Sequence, residues 1–322
     1  MLKNKKFFIT GGAGFIGANF ISRIVEENSV IVYDNLSRNA LKEINIDDHP
    51  NLKIFQGDIL DFKNLKRCIP CDVNFIIHMA AIAGVDTVIA NPSKTMEVNM
   101  IGTYNILRAI LDLKLTERIE KFINFSTSEV FGINAFRVEE TTSTNLQPVG
   151  EARWTYAVSK LAAEHLTYSY FKQYGLKTVT IRPFNIYGPG QVGEGAIHHF
   201  VVRAIKNEPL IIHGEGDQIR SWCYIDDMIQ GIFLCIEKEE AIGETFNIGN
   251  PKGTITILSL AEKIIQIACS SSKIVHVPKT YVDVELRIPN INKAKEVLGF
   301  EPKTGLNEGI KKTIDWYKEK RL

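Results

Sequence analysis

The chain has 322 residues, 45% of them hydrophobic and 23% charged, with a formal net charge of +1. That balance predicts a packed core and excludes a disordered chain. It also leaves no whole-chain field to attract nucleic acid or an anionic membrane, so an anionic ligand must be held by a local site.

The N-terminal Met1-Leu2-Lys3-Asn4-Lys5-Lys6 is basic. The apolar run after it is short, is cut by Gly11-Gly12 and has no small-residue cleavage site, so it reads as a first strand and not a signal peptide. No run of about 18 apolar residues suggests a membrane span. Strands are expected at Phe7–Thr10, Val30–Tyr33, Lys53–Gln56, Val73–His78, Phe122–Phe125 and Thr178–Arg182. Amphipathic helical patterns lie between them at Phe15–Glu27, Pro92–Leu113 and Trp154–Tyr174. Such alternation specifies βαβ units. The strands are continuous apolar runs, as a parallel sheet covered on both faces requires.

After Arg182 glycine and proline become dense, at Gly188-Pro189-Gly190 and Gly193–Gly195. Helical patterns follow over Ile197–Lys206, Asp226–Ile236 and Ser259–Cys269, with strands at Leu210–His213 and Glu244–Gly249 and a charged helical end at Trp316–Leu322. The expected fold class is α/β: a Rossmann-type doubly wound parallel sheet over residues 1–182 and a smaller C-terminal α/β substrate-binding lobe. The lobe falls mainly in residues 183–322, with some segments returning to the first domain.

The five cysteines are an odd number and are scattered. Cys68-Ile69-Pro70-Cys71 has redox or zinc spacing, but no second pair completes a zinc site and no strand-to-helix context supports a redox motif. The pair reads as structural, and no metal is expected. Unpaired cysteines fit a reducing cytoplasm.

Thr10-Gly11-Gly12-Ala13-Gly14-Phe15-Ile16-Gly17 follows the first strand and opens the first helix. In that context a glycine triplet signals dinucleotide binding. Gly11 and Gly14 permit the turn and a close approach to the pyrophosphate, and Gly17 lets the helix sit near the strand. The helix start at Phe15 and Ile16 offers free N–H groups. The second strand ends in Asp34-Asn35, where a carboxylate takes the adenosine ribose hydroxyls and repels a 2′-phosphate. NAD is therefore expected over NADP, with Ser37 and Arg38 close enough to blunt the preference. Asp58 and Ile59 follow the third strand, and Ala80 and Ala81 the fourth, at strand ends where ligands bind in open α/β sheets. His78 reads as a packed, hydrogen-bonded residue.

Tyr156-Ala157-Val158-Ser159-Lys160 sets a phenol and an ammonium one helical turn apart. A tyrosine of ordinary pKa near 10 is a poor base at neutrality. A neighbouring ammonium and an oxidised nicotinamide both favour its phenolate, which can then take a proton from a sugar hydroxyl. Upstream, the fifth strand ends in Ser126-Thr127-Ser128-Glu129, where a hydroxyl can orient the reacting oxygen.

With these pieces the chain resembles the extended short-chain dehydrogenase/reductases that act as nucleotide-sugar epimerases, dehydratases and decarboxylases. The matching stretches are GGAGFIG at 11–17, Asp34, GDI at 57–59, HMAA at 78–81, Asn99, STSEVFG at 126–132, YAVSK at 156–160 and RPFNIYGPG at 182–190. They continue with GDQIRSWCYIDD at 216–227, FNIGN at 246–250 and RIPNINKAKEVLGFEP at 287–302, so they cover nearly the whole chain.

The resemblance implies Tyr156 as base, Lys160 as its tuner and ribose ligand, Thr127 as hydroxyl partner and Asn99 as a cofactor-site residue. Asn185, Arg220 and Arg287 would hold a nucleotide diphosphate, for which guanidinium forks are suited. It further implies a homodimer built on the helices near 92–113 and 152–174, and a reaction that begins by oxidising the sugar at C4. Epimerases of this kind have small uncharged residues after the hydroxyl; here Ser128 and Glu129 stand there. Dehydratases of dTDP-glucose have an acid where this chain has Ser128. Thr-Ser-Glu resembles both GDP-mannose dehydratases and uronic-acid decarboxylases, and the stretch Pro148–Tyr156 resembles a decarboxylase, in which Ser128, Glu129 and Arg287 would face the substrate carboxylate. Decarboxylation of a UDP-hexuronic acid is the first reading, a 4,6-dehydratase the second and a 4-epimerase the third. A dinucleotide-binding regulator is disfavoured because Thr127, Tyr156 and Lys160 are all present.

Overall fold

Phe7 and Ile9 face one side of the first strand and Phe8 the other, and all three are fully buried. Side chains alternate along a strand, so this pattern needs both faces of the sheet covered. Each such burial contributes about 1.5–3 kcal/mol. The computed structural model describes residues 2–146, 148–279 and 282–321, without the Arg321 side chain. Met1, Gln147, Thr280, Tyr281 and Leu322 lie outside the described residues, the last being the end of the expected Trp316–Leu322 helix.

The main sheet has seven strands: β1 (Lys6–Thr10), β2 (Ser29–Asp34), β3 (Leu52–Gln56), β4 (Phe75–His78), β5 (Lys121–Phe125), β6 (Thr178–Pro183) and β7 (Thr245–Ile248). They pair in the order β7-β6-β5-β4-β1-β2-β3, all parallel. The strand order reverses between β1 and β4, and a ligand crevice opens at such a switch point. β7 comes from the C-terminal half, so the later chain completes the edge of the first sheet.

A second, four-stranded sheet runs Thr254–Thr256, Ile219–Ser221, Leu286–Pro289, Asn134–Val138. These strands are too short and too mixed in composition to stand out in the sequence. Their pairing sets Arg220 directly beside Arg287.

The helix Arg153–Tyr174 ends at Gly175, whose φ of +70° supplies a left-handed cap. The single helix expected over Pro92–Leu113 is instead three pieces: α-helix Pro92–Met96, a π-helical turn Glu97–Ile101 and α-helix Gly102–Asp112. The wide turn carries Asn99, whose buried amide is committed to neighbouring elements, and π-turns of this kind interrupt helices at such points. Among the described residues no helix is long and apolar enough to cross a membrane.

His78 is fully buried under the glycine turn. Thr103 Oγ1 donates to Asn99 O at 2.7 Å, so at 3.0 Å it must accept from His78 Nε2–H. His78 Nδ1 then accepts from Thr10 Oγ1 at 2.7 Å. Burial first, and the Lys160 charge second, pull this imidazole down to about 3. The unfolded chain takes up that proton near the ordinary value of 6.5 and the folded chain does not. Stability is therefore intact above pH 6.5 and falls between pH 6.5 and 3, at about 1.4 kcal/mol per pH unit for one proton. Urea melts across that range should show this slope, and His78→Gln should flatten it.

Candidate active site

The turn after β1 is as tight as a backbone permits. A Cβ on Gly11, at φ +70°, would lie 2.4 Å from Ala80 N, and one on Gly17 would lie 2.7 Å from Gly12 O. A Cβ on Gly14 would approach only Gly11 O, at 3.3 Å, so its outer side is open. No side chain caps the helix Phe15–Ile24. Its first N–H groups and positive dipole end are therefore left for an anion.

Asp34 fixes the facing rim. Oδ2 accepts from Ala13 N at 3.0 Å and Oδ1 from Leu36 N at 2.8 Å, which ties the glycine turn to the positive-φ turn after β2. Burial raises its carboxyl above the ordinary value, and the two backbone bonds oppose that rise.

A cleft of about 380 Å³ runs along this edge. Gly11, Gly14, Phe15, Ile16, Gly17, Asp34, Asn35, Asp58, Ile59, Ala80, Ala81, Tyr156 and Lys160 all line it. Asn99 does not. Its Oδ1 accepts from Ile82 N at 2.8 Å, and its Nδ2 donates to Ile82 O at 3.2 Å and to Ser159 Oγ at 3.0 Å. It ties the loop after β4 to the Tyr156 helix from behind the wall. Open glycine backbone, an uncapped helix start and a carboxylate on the rim fit a dinucleotide lying across the strand ends.

Thr127, Ser128, Glu129, Asn185, Arg220 and Arg287 are not among the residues that line that cleft, but Thr127, Glu129 and Arg287 act on the Tyr156 phenol that does. The Thr127 hydroxyl accepts from Glu129 N at 3.2 Å and acts to lower the proton affinity of the Tyr156 phenol. Burial and then the Glu129 charge push this phenol up to about 12, while Thr127 and Arg287 oppose the rise. The sequence suggests a phenol already biased toward ionisation; in the chain by itself the low-dielectric setting outweighs that bias. Burial also pulls the Lys160 ammonium down to about 8, against the opposing pull of Glu164.

Glu129 is half-buried in a cluster of five charges. Its Oε1 lies 3.3 Å from Arg287 Nη1 and 3.4 Å from Arg153 Nη2. Asp283 reaches Arg153 at 3.1 Å and Arg220 at 3.3 Å. Burial alone would raise Glu129, but Arg287 and Arg153 outweigh it and hold the carboxyl below its ordinary value. Nε and Nη1 of Arg153 and Nε and Nη2 of Arg287 are buried without a hydrogen-bond partner among the described residues. Arg220 is spent on the carbonyls of Ile219, Val284 and Glu285. Asn185, at φ +43°, donates to Ser221 O at 2.9 Å. These bonds tie both residues to the second sheet and the loop before its Leu286–Pro289 strand.

Arg153 and Asp283 are absent from the sequence-based set. Arg153 had a local signal, three residues before Tyr156 and so on the same helix face. Asp283 had none. Ser126 also lines the cleft, with a hydroxyl that has no partner among the described residues.

A glycine-turn cleft whose far end is a Tyr-x-x-x-Lys helix, with a C-terminal lobe alongside, defines an extended short-chain dehydrogenase/reductase. The chain belongs to the GDP-mannose 4,6-dehydratase family within that class, whose profile matches residues 8–313. It is 35% identical to UDP-glucuronic acid decarboxylase 6 of Arabidopsis thaliana, over 96% of this chain and 90% of that protein. It is 34% identical to UDP-N-acetyl-alpha-D-glucosaminuronate decarboxylase of Bacillus cytotoxicus, covering 98% of both. The UDP-glucuronic acid 4-epimerase of Bacillus cereus, solved with UDP-glucuronic acid and NAD, superposes with a TM-score of 0.86 at 27% identity, over 98% of this chain and 99% of that one.

The two glycines separate fold from binding. Gly11→Ala is expected to cost about 3 kcal/mol or more, because strained φ and a backbone clash coincide. Gly14→Ala should melt close to the wild type yet bind dinucleotide at least about tenfold more weakly, since it obstructs only the outer side. Thermal melts paired with calorimetric titration of NAD+ check both.

Proposed function

We propose that this chain is an NAD-dependent UDP-hexuronic acid decarboxylase that oxidises the sugar at C4 and releases its C6 carboxylate as carbon dioxide. The observation that carries this reading is the set of buried guanidinium donors without partners among the described residues on Arg153, one helical turn before Tyr156, and on Arg287, both beside Glu129. Leaving charged donors buried without partners is costly, by about 1–3 kcal/mol or more each. A substrate carboxylate relieves that cost, and a neutral hydroxymethyl group does not. The decarboxylase relatives support the same choice.

Gly11, Gly14, Phe15, Ile16 and Gly17 would hold the pyrophosphate of NAD, Asp34 and Asn35 its adenosine ribose, and Lys160 the nicotinamide ribose. Bound there, the nicotinamide supplies the hydride acceptor for sugar oxidation. Tyr156 takes the hydroxyl proton, and Thr127 holds the oxygen in line with it. Because the phenol starts near 12, its proton affinity must fall when the site fills; positive charge beside it does this. Arg153 and Arg287 orient the carboxylate, with Ser128 alongside. Glu129 keeps these cations paired while the site is empty. The ketone at C4 then stabilises the electron pair left when the carbon–carbon bond breaks.

Glu129 also favours a second reading, a nucleotide-sugar 4,6-dehydratase, in which it would serve as the C5 base. A 4-epimerase is third. The nucleotide-sugar lobe falls mainly in residues 183–322, with β7 and the helix Ile225–Glu237, which packs on the first helix through Phe233 and Phe20, returning to the first domain. A homodimer is supported by the exposed Ile101, Tyr104, Val158 and Tyr168 on the helices near 92–113 and 152–174.

Mass spectrometry after incubation with NAD+ and separate nucleotide sugars tests the reaction. UDP-glucuronate should lose carbon dioxide; loss of water from UDP-glucose, dTDP-glucose or GDP-mannose, with the uronate untouched, would install the dehydratase. Tyr156→Phe should lower turnover by about 10²–10⁴-fold. Arg153→Gln should raise the KM for the uronate by about tenfold or more. For the assembly, Tyr104→Glu with Val158→Glu should convert a dimer into a monomer in light scattering, and a wild type that is already monomeric would refute that interface.

A further inference from the structure

Residues 188–195 leave the lobe side and run along the mouth of the cofactor cleft, where Gln191, Val192 and Glu194 join its lining. The Glu194 carboxylate collects donors from two separate segments, the first turn of the helix Val85–Ala90 and the Arg38 side chain. Oε2 accepts from Asp86 N at 3.0 Å, and Oε1 from Thr87 N at 3.1 Å and Thr87 Oγ1 at 2.5 Å. Oε1 also takes Arg38 Nη2 at 3.4 Å, and the same Nη2 donates to Thr87 Oγ1 at 3.2 Å. Arg38 stands four residues beyond Asp34, and Asp86–Thr87 follow the end of β4. One side chain thus joins the 188–195 segment to Arg38, which also lines the cleft, and to the start of the helix Val85–Ala90.

Two glycines make room for this junction. A Cβ on Gly84, at φ +102°, would lie 2.5 Å from the Glu194 carboxylate, and one on Gly193, at φ +82°, would lie 2.7 Å from Arg38 Nε. The segment is anchored at its other end. Tyr317 OH donates to Gln191 O at 2.6 Å, and Asn19 Nδ2 donates to Pro189 O at 3.3 Å. Neither Glu194 nor Arg38 has a task in the chemistry of Tyr156 and Glu129.

We propose that Glu194 is a positioning residue that retains the dinucleotide: it staples the 188–195 segment to Arg38 and to Asp86–Thr87, so cofactor exchange must wait for the staple to open. This rests on the NAD reading above. The pair is partly exposed, with side-chain accessibilities of 36% for Arg38 and 23% for Glu194, so its attraction is moderate and weakened by salt. The two amides and the hydroxyl add charge-assisted bonds that a neutral side chain would make more weakly. An effect on release of about tenfold is in scale.

The test loads the full-length protein with the fluorescent ethenoadenine analogue of NAD+ and follows its release on dilution into excess NAD+. Glu194→Gln and Arg38→Gln should each speed release about tenfold, and the double variant no further, because both break one junction. Rising salt should speed release from the wild type and leave Glu194→Gln unchanged. Wild-type release rates in both variants, or effects that multiply in the double, would overturn the staple and leave NAD binding intact. A wild type that binds neither NAD+ nor its analogue would instead overturn the NAD reading, and the staple with it. Melting temperatures without cofactor identify a misfolded variant, in which case the other substitution decides alone.

Discussion

Parallel pairing sends every connection back across a face of the sheet, so each strand meets its following loop at the same edge. In this chain that edge receives the glycine turn after β1, Asp34 at the end of β2, Asp58 after β3, Ala80 after β4 and Thr127 after β5. Residues spread over more than a hundred positions are gathered by strand direction alone. Tyr156 and Lys160 enter from the crossover between β5 and β6. Its helix is pinned by the buried Glu164–Arg182 pair, with contacts of 2.9 and 2.7 Å, and by Asn99 on Ser159. The lysine and tyrosine are therefore placed by a helix clamped at two points, to β6 through Arg182 and to the π-helical turn through Asn99.

Beyond that edge, charge governs. Three guanidiniums and two carboxylates share a space with little water, and the carboxylates make only part of the contact the arginines can offer. Removing one member of such a buried cluster commonly costs about 3–5 kcal/mol, because a stranded charge remains. Glu129 is thus a counter-ion before it is anything else. An incoming anion that takes up Arg153 and Arg287 weakens the grip that holds Glu129 low, which leaves that carboxylate freer to accept a proton at the moment a substrate is present.

The parts legible in the sequence were those written in consecutive residues. GGAGFIG, the Asp34 that follows about twenty residues on, and Tyr156 with Lys160 each depend on local spacing within one turn or helix, and the apolar strands of the main sheet declared themselves as unbroken runs. The lobe was not legible in the same way. Arg220 and Arg287 are neighbours only because two short strands pair across more than sixty residues, and Asp283 enters the cluster from a loop with no pattern of its own. Asn99 was visible as a motif residue, but its role depends on a π-turn that hydrophobic periodicity cannot distinguish from continuous helix.

The returning strand β7 bears on how the protein can be divided. It pairs with β6 over Thr245–Ile248 and closes that end of the main sheet with chain that lies beyond the lobe's first helix and strands. A fragment cut near residue 182 would present β6 as a bare edge of unpaired N–H and C=O groups, a template for aggregation. The C-terminal fragment would carry a strand with no sheet to join. The two regions are consequently knitted into one cooperative unit, and shuffling of lobes between such proteins would need to move this strand along with the sheet it completes.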